Sequence, residues 1–552
     1  MHSFFLRAVD DRGQEWVVAI ADDISLGEVK SSCCISETQA APRQRYFFVD
    51  SDICPKEIPM KTAICASTLL LLAFAGSSSA QAQISRFQHI IVIVQENRTP
   101  DNLFQGLCLP PYGASGACGV EPDHYDIQGY GFDKNGTKIP LFPVPLDNAY
   151  DPPHTHGNFE QMCNPNKTTL YPCSPNTLLP TTGCQPYPNN NCSFEYVDPE
   201  ASPTIYSYLY IAQHFGWANR MFQTNQGPSA PAHQFLFAGT SAPSTADDAS
   251  ARFVAENPGG LGCLAPLDSV YYLIDPIHAP FEYSLVNNPL GTMCFNHRTM
   301  ATLLNNHHQT WRYYAVGGVD NISSIWNAPN WIRAICQPNT TFTQCTGADW
   351  INNVDLKPAD VLIDLQNCNL KNMVWVTPTG QNSDHPSGNP NNPHNGGPAW
   401  VANVIDGVSN SPCTDTLDQV TVPYWQDTAI VVTWDDWGGF YDHVLPPFLS
   451  GPKEGQGDYQ MGFRVPLLFV SAYTKHIVDS TNQYDFGSIL RFAELNFGLG
   501  QGFLGFADER SKTDLRAFYD FSLAPTKFQI PTSVPAEFFL HDERPPDPPD
   551  TD

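Results

Sequence analysis

Positive charge is scarce in this chain. Lys and Arg together number 28 in 552 residues, against 56 Asp and Glu, for a net charge of −28. A protein that grips a nucleic-acid backbone needs clustered Lys and Arg, so the composition argues against that class. Charge of either sign is sparse, at 15% of residues where roughly 25% is usual. Long apolar runs are missing too: the one strongly apolar segment, Ala63–Ala75, falls short of the roughly 20 residues a membrane-spanning helix needs. No Cys-x-x-Cys pair occurs, which argues against a cysteine-based zinc site. There is no Gly-x-Ser-x-Gly lipase elbow, no phosphate-binding P-loop and no Cys-x-Pro-x-Arg nucleophile of the sulfatase type. Disorder is excluded by what is present, since 42% of residues are hydrophobic and 12% aromatic.

The apolar segment has a secretory pattern. Met60-Lys61 precedes it, and Ser77-Ser-Ser-Ala-Gln-Ala82 follows it. A positive start, about a dozen apolar residues and an Ala-x-Ala close describe a signal peptide. Such a peptide belongs at the N-terminus. Translation is therefore expected to begin at Met60, with residues 1–59 an extension from a wrongly assigned start codon. A signal anchor behind a short cytoplasmic tail is the alternative. The signal peptide spans 60–82, and the mature chain, beginning near Gln83, is expected to be secreted or periplasmic. Twelve cysteines remain beyond that point, an even number that predicts disulfides in an exported chain. Cys108/Cys118, Cys184/Cys192 and Cys336/Cys345 are spaced as local staples, though connectivity is not fixed by spacing.

The mature chain alternates two patterns. Phe87–Gln95, Thr428–Trp434, Val465–Ser471 and Met373–Thr377 are apolar, β-branched runs of the kind that form buried central strands. Helical periodicity covers Ile205–Arg220, Arg298–His308, Trp400–Ser409 and Phe486–Phe497. Together they predict one α/β domain over 83–530, a mostly parallel sheet with helices on both faces. Long insertions are expected at about 105–200, 256–297 and 316–350, the first stapled by disulfides. Residues 531–552 read as a Pro- and Asp-rich tail.

In such sheets ligands gather at the carboxyl ends of strands. Three strand ends here carry polar clusters: Glu96-Asn97-Arg98, Ser383-Asp384-His385, and Asp435-Asp436 leading to Asp442-His443. Carboxylate, amide and imidazole groups together form a ligand set for a divalent cation. The cation would also reconcile an acidic site with an anionic phosphate. Ser229 lies in Gly227-Pro-Ser-Ala-Pro231, a forced turn before a helical run. A serine at a helix N-terminus sits where anions are favoured and suits a nucleophile. Ordinary readings remain open beside these: a helix cap for Glu96-Asn97, a turn for Asp435-Asp436, a loop ion pair for Asp384-His385, surface positions for His154 and His156, and an N-cap for Ser229.

Taken together, the fragments resemble the phosphoesterase family of non-specific phospholipases C and AcpA-type acid phosphatases. Glu96-Asn-Arg-Thr-Pro-Asp101-Asn-Leu-Phe104 is similar to the family's E-N-R-S-F-D-x-x-F opening, and Gly227–His233 to its G-P-[ST]-x-P-N-[RH] nucleophile segment. Ser383–Pro386 matches S-D-H-P, Asp435–Val444 matches [DE]-[DE]-x-G-G-x-[YF]-D-H-V, and Gly462–Pro466 matches G-x-R-V-P. Ser488–Glu494 is similar to S-[IL]-x-[RK]-[FT]-[IA]-E. These motifs stand in family order over about residues 87–523. The resemblance implies an alkaline-phosphatase-like fold. It implies one divalent metal, Ca²⁺ or Zn²⁺, held by Glu96, Asn97, Ser229, Asp435 and Asp436, with Ser229 the nucleophile. It implies that His385, beside Asp384, contacts the phosphoryl group or assists proton transfer. His154 would protonate the leaving group, with His156 open as the alternative. His443, with Asp442, would orient the Asp436 loop from behind the metal. The implied reaction is hydrolysis of phosphate esters through a phosphoserine, as an acid phosphatase or broad phosphoesterase. A phospholipase C acting on phospholipid headgroups is the alternative, and a non-catalytic binding protein a third reading. The early end of the chain leans toward the phosphatase. Three positions depart from the family pattern: Pro100, Ala232 and Asn219.

Overall fold

The computed structural model describes residues 84–544 apart from 133–136, 148–150, 164–192, 258–261, 266–269, 276–278, 288–293, 318–324, 387–395, 418–419 and 450–458, together with four short strands before residue 48. The chain divides into two compact units, Met1–Ala82 and Gln83–Asp552. In the first, Ser3–Val9 pairs antiparallel with Glu15–Ala21, and Glu37–Thr38 with Tyr46–Phe47. The candidate signal peptide and the Cys184/Cys192 pair lie outside the described residues.

The second unit is built on an eight-stranded sheet. In chain order its strands are β1 (His89–Gln95), β2 (Gly216–Ala218), β3 (Trp311–Tyr314), β4 (Val354–Asp355), β5 (Met373–Val376), β6 (Thr428–Trp434), β7 (Leu467–Val470) and β8 (Ile477–Asp479). In space the order is β4-β3-β5-β1-β6-β7-β2-β8. All pairs are parallel except those of β7, which runs antiparallel to both β6 and β2. Every residue of β1 and β6 is buried. Strands covered on both faces need no polar alternation, which is why these runs read as continuously apolar.

Six helices matter below: α1 (Tyr206–His214), α2 (Ser229–Ala238), α3 (Asp360–Gln366), α4 (Gly397–Ser409), α5 (Phe486–Phe497) and α6 (Ala536–Leu540). Side chains alternate along β3, so its two faces identify the layers. Trp311 and Tyr313 meet Phe237 of α2. Arg312 and Tyr314 on the other face bond Asp364 of α3. Helices α2 and α5 therefore cover one face, and α1, α3 and α4 the other.

Two elements differ from their sequence readings. The helical run Ile205–Arg220 stops at His214, and Gly216–Ala218 enters the sheet as β2. Three residues are too few to show a two-residue period. The stretch from 531 packs onto α4 as far as Arg544: Asn403 donates to Val534 O at 3.0 Å, and Phe539 is buried against Trp400. Residues 545–552 lie outside the described residues. Disulfides join Cys108–Cys118, Cys263–Cys294, Cys336–Cys345 and Cys368–Cys413. No helix among the described residues is long and apolar enough to cross a membrane.

Candidate active site

The paired strands β1 and β6 deliver their polar ends side by side. Asp435 N donates to Gln95 O at 2.9 Å, continuing the ladder by one residue. Asn97 then turns with φ 60°, an uncommon conformation for a non-glycine residue. Opposite it, Gly438 has φ 60°, and a Cβ there would lie 2.4 Å from Asn97 O. Only glycine permits that approach. The Asp435 carboxylate fastens the two loops. Its Oδ1 accepts from Asn97 N at 3.0 Å and from Asp436 N at 2.7 Å. Asp436 Oδ1 accepts from Gly438 N at 2.7 Å.

Ser229 is the first residue of α2, behind Pro228 as N-cap. The open N-cap reading thus fails: its hydroxyl caps nothing and donates instead to Asp436 Oδ2 at 3.2 Å, with Asn97 Oδ1 at 3.5 Å. The five residues Glu96, Asn97, Ser229, Asp435 and Asp436 are brought together and fully buried.

One residue was missed. His233 follows Ser229 by one helical turn and shares its face. Its Nε2 lies 3.1 Å from Glu96 Oε1 and 3.7 Å from Asp435 Oδ2. Its Nδ1 lies 3.4 Å from the Tyr313 hydroxyl, whose own proton is committed to Trp326 O at 2.8 Å. A proton on Nδ1 leaves the Nε2 lone pair toward the two carboxylates, as a metal ligand requires, whereas a proton on Nε2 is donated to Glu96. Burial lowers the His233 pKa to about 4, partly opposed by Asp435, so the ring is neutral. Glu96, His233 and Asp435 each bring one potential ligand atom within 4.8 Å of the others. Asp435 Oδ2 accepts no hydrogen bond among the described residues. Burial, reinforced by Asp435, pushes the Asp436 pKa well above its usual value. Buried carboxylates this close together call for a cation or protons between them. The donor set fits a divalent metal ion.

Other predicted residues are distributed around this centre. His154 Nε2 is 3.1 Å from Asn97 Nδ2, and its Nδ1 is 2.8 Å from Pro152 O. The His154 and His385 rings are 6.4 Å apart. Asp151 stands between them, 4.0 Å from His154 Nδ1 and 3.9 Å from His385 Nε2. His156 is turned to Gln226 O at 2.7 Å and to Glu160 at 3.5 Å.

Two further predicted residues make their contacts away from the centre. The Asp384 carboxylate accepts from Tyr208 Oη at 2.8 Å and Trp434 Nε1 at 2.9 Å, and burial raises its pKa to about 6. Its backbone carbonyl accepts from the buried Arg98 at 2.8 Å. It anchors the loop that presents His385. His443 bonds Asp101 at 2.7 Å and Asp126 at 3.1 Å, not the Asp436 loop. Asp442 forms a two-pronged pair with Arg464, at 2.7 and 2.9 Å. Those residues make a separate buried charge network, because the chain has turned through Gly438-Gly439 before reaching them.

The chain belongs to the Phosphoesterase family, whose model matches residues 87–500. Curated relatives are phospholipases C. The non-hemolytic phospholipase C of Burkholderia pseudomallei is 29% identical over 24% of this chain and 20% of its own length. Phospholipase C B of Mycobacterium tuberculosis is 27% identical over 30% of this chain and 33% of its own. The hemolytic phospholipase C of Pseudomonas aeruginosa is 24% identical over 40% of this chain and 34% of its own. The matched stretches thus span at most about a third of these relatives.

Proposed function

We propose that this protein hydrolyses phosphoric esters with Ser229 as nucleophile. The observation that carries the reading is Ser229 Oγ at the N-terminus of α2, 3.2 Å from Asp436 Oδ2 and beside Asn97. Asp436 is placed to take the hydroxyl proton as Oγ bonds to phosphorus. The backbone N–H groups of a helix N-terminus favour the charge that builds on the phosphoryl oxygens. The ester oxygen departs with a proton from the His154–His385 side of the site. His154 suits this role better than His156, because it bonds Asn97 beside the nucleophile. Water then attacks the phosphoserine and gives its proton back to the histidine that protonated the ester oxygen, while the proton held by Asp436 returns to Oγ. A divalent ion held by Glu96, His233 and Asp435, with Asn97 and Asp436 beside them, would supply a Lewis acid and lower the Ser229 pKa. An imidazole among carboxylates favours Zn²⁺ over Ca²⁺. Asp435 also fastens the two loops to each other, through Asn97 N and Asp436 N.

The names of the relatives favour phospholipid phosphodiesters as substrates over the phosphate monoesters expected from sequence. We read the fold as alkaline-phosphatase-like and the mature chain as exported, a reading the four described disulfides support.

The test is hydrolysis of p-nitrophenyl phosphate and p-nitrophenylphosphorylcholine from pH 4 to 9, with and without chelator. Cleavage of the diester ahead of the monoester is expected. Ser229→Ala should lower kcat by about 10⁴-fold or more. Turnover by Ser229→Ala near that of the unmodified protein contradicts the assignment.

A further inference from the structure

The amino ends of the same two central strands carry another cluster. His89 opens β1, and Asp427 stands one residue before β6. The backbone pairing reaches past both, because Gln88 N donates to Asp427 O at 2.8 Å. Asp415 belongs to the short strand Thr414–Leu417, which begins directly after the Cys368–Cys413 disulfide. His89, Asp415 and Asp427 each bring one potential ligand atom within 4.8 Å of the others. Strand β1 is 7 residues long, which sets this cluster on the order of 20 Å from the Glu96–Asp435 centre at about 3.3 Å per residue.

Each side chain is arranged as a ligand. His89 Nδ1 lies 2.9 Å from Lys371 O. A carbonyl only accepts, so Nδ1 carries a proton, and in the neutral ring Nε2 offers its lone pair to the carboxylates. Metal-bound histidines are oriented by a backbone carbonyl in this way. The Tyr424 ring, edge-on at 4.8 Å, packs against the imidazole. Asp427 is fully buried, and neither of its oxygens meets a donor in hydrogen-bond geometry among the described residues. Burial, reinforced by Asp415, raises its pKa to about 9. Among the described residues the ion-pair partner of Asp415 is His89, not a lysine or arginine. One neutral imidazole and two carboxylates match the charge of a divalent ion, whereas a single proton cancels only half of it. His89 Nε2 and Asp415 Oδ2 are 2.6 Å apart, a separation that a proton bridges. An ion bonded at about 2.0 Å to each atom needs them roughly 3.3 Å apart. The Asp415 side chain is 31% exposed and has room to swing outward by that amount.

We propose that His89, Asp415 and Asp427 form a structural site for a divalent transition-metal ion, Zn²⁺ by its ligand set. The ion clamps the disulfide-bound strand Thr414–Leu417 to the amino ends of β1 and β6. This site is independent of the phosphoester reading. The test strips the full chain with chelator and titrates it with Zn²⁺ by calorimetry. Two ions per chain are expected, one at each end of the central strands. Asp415→Asn and His89→Gln should each weaken one ion at least tenfold and keep the ion that His233→Ala loses. Asp415 is partly exposed, so its substitution spares the core, and turnover of p-nitrophenylphosphorylcholine by Asp415→Asn should stay within twofold. Saturating Zn²⁺ should raise the melting temperature of His233→Ala by several degrees and leave that of the double variant His233→Ala with Asp415→Asn unchanged. Equal Zn²⁺ binding by Asp415→Asn and the unmodified chain overturns the proposal, as does a melting temperature of His233→Ala that ignores Zn²⁺; the cluster then holds protons alone. A single ion that is lost in Asp415→Asn and indifferent to His233→Ala supports this site and counts against the metal of the catalytic centre.

Discussion

Ser229 and His233 stand four residues apart on one helix and so present one face to the Glu96 and Asp435 strand ends. If His233 Nε2 is a metal ligand, His233→Ala should weaken cation binding by tenfold or more. Calorimetric titration of Zn²⁺ into chelated protein reads this directly, and unchanged affinity contradicts it. The i, i+4 spacing was available in Ser-Ala-Pro-Ala-His, but only the serine was singled out, because a lone histidine on an apolar helix is ordinary. The clustering of Glu96, Asn97, Ser229, Asp435 and Asp436 was legible because each ends a buried strand or begins a helix. The partners of Asp384 and His443 were not legible, because a sequence does not show which way a side chain leaves a loop. His443 carries a pH signature. Burial opposes its charge, but Asp101 and Asp126 prevail and raise its pKa to about 10, against about 6.5 for a free imidazole. Its stabilisation is therefore complete below about pH 6.5 and is lost as pH rises toward about 10. The melting temperature should fall across that window, and less steeply in His443→Gln. Parallel curves for the two proteins would contradict the assignment.

Elements were legible in proportion to their length and burial. The seven-residue strands β1 and β6 announce themselves as apolar runs. The strand β7 was visible too, but its reversed direction was not, since hydrophobicity carries no sense of direction. Helix α5 shows what holds such an element in place. Asp485 accepts from Ser488 N at 3.1 Å as its N-cap and pairs with Arg510 at 2.7 Å, both nearly inaccessible. Asp485→Ala removes the cap and leaves a buried guanidinium unpaired. A loss of about 3–5 kcal/mol in denaturant unfolding is expected, and a change below about 1 kcal/mol would show that the pair carries little.

At the scale of the molecule, the carboxyl edge of the sheet carries two features. The ends of β1 and β6 hold a charged, fully buried centre, and those of β4 and β5 border a cavity lined by polar and apolar side chains alike. The acidic composition argues against nucleic acid, and the carboxylates and imidazole of the centre fit a cation. Cys108–Cys118 and Cys336–Cys345 pair as their spacing suggested, whereas Cys368–Cys413, which joins segments leading into the amino ends of β5 and β6, could be found only from the fold. The central claim is a covalent phosphoserine at Ser229. The direct measurement is rapid acid quench of the protein during turnover of p-nitrophenylphosphorylcholine, followed by peptide mass spectrometry. The account predicts phosphate or phosphocholine on the peptide carrying Ser229 and none in Ser229→Ala. A modified residue elsewhere, or turnover by the protein with no covalent adduct at any quench time, would contradict it.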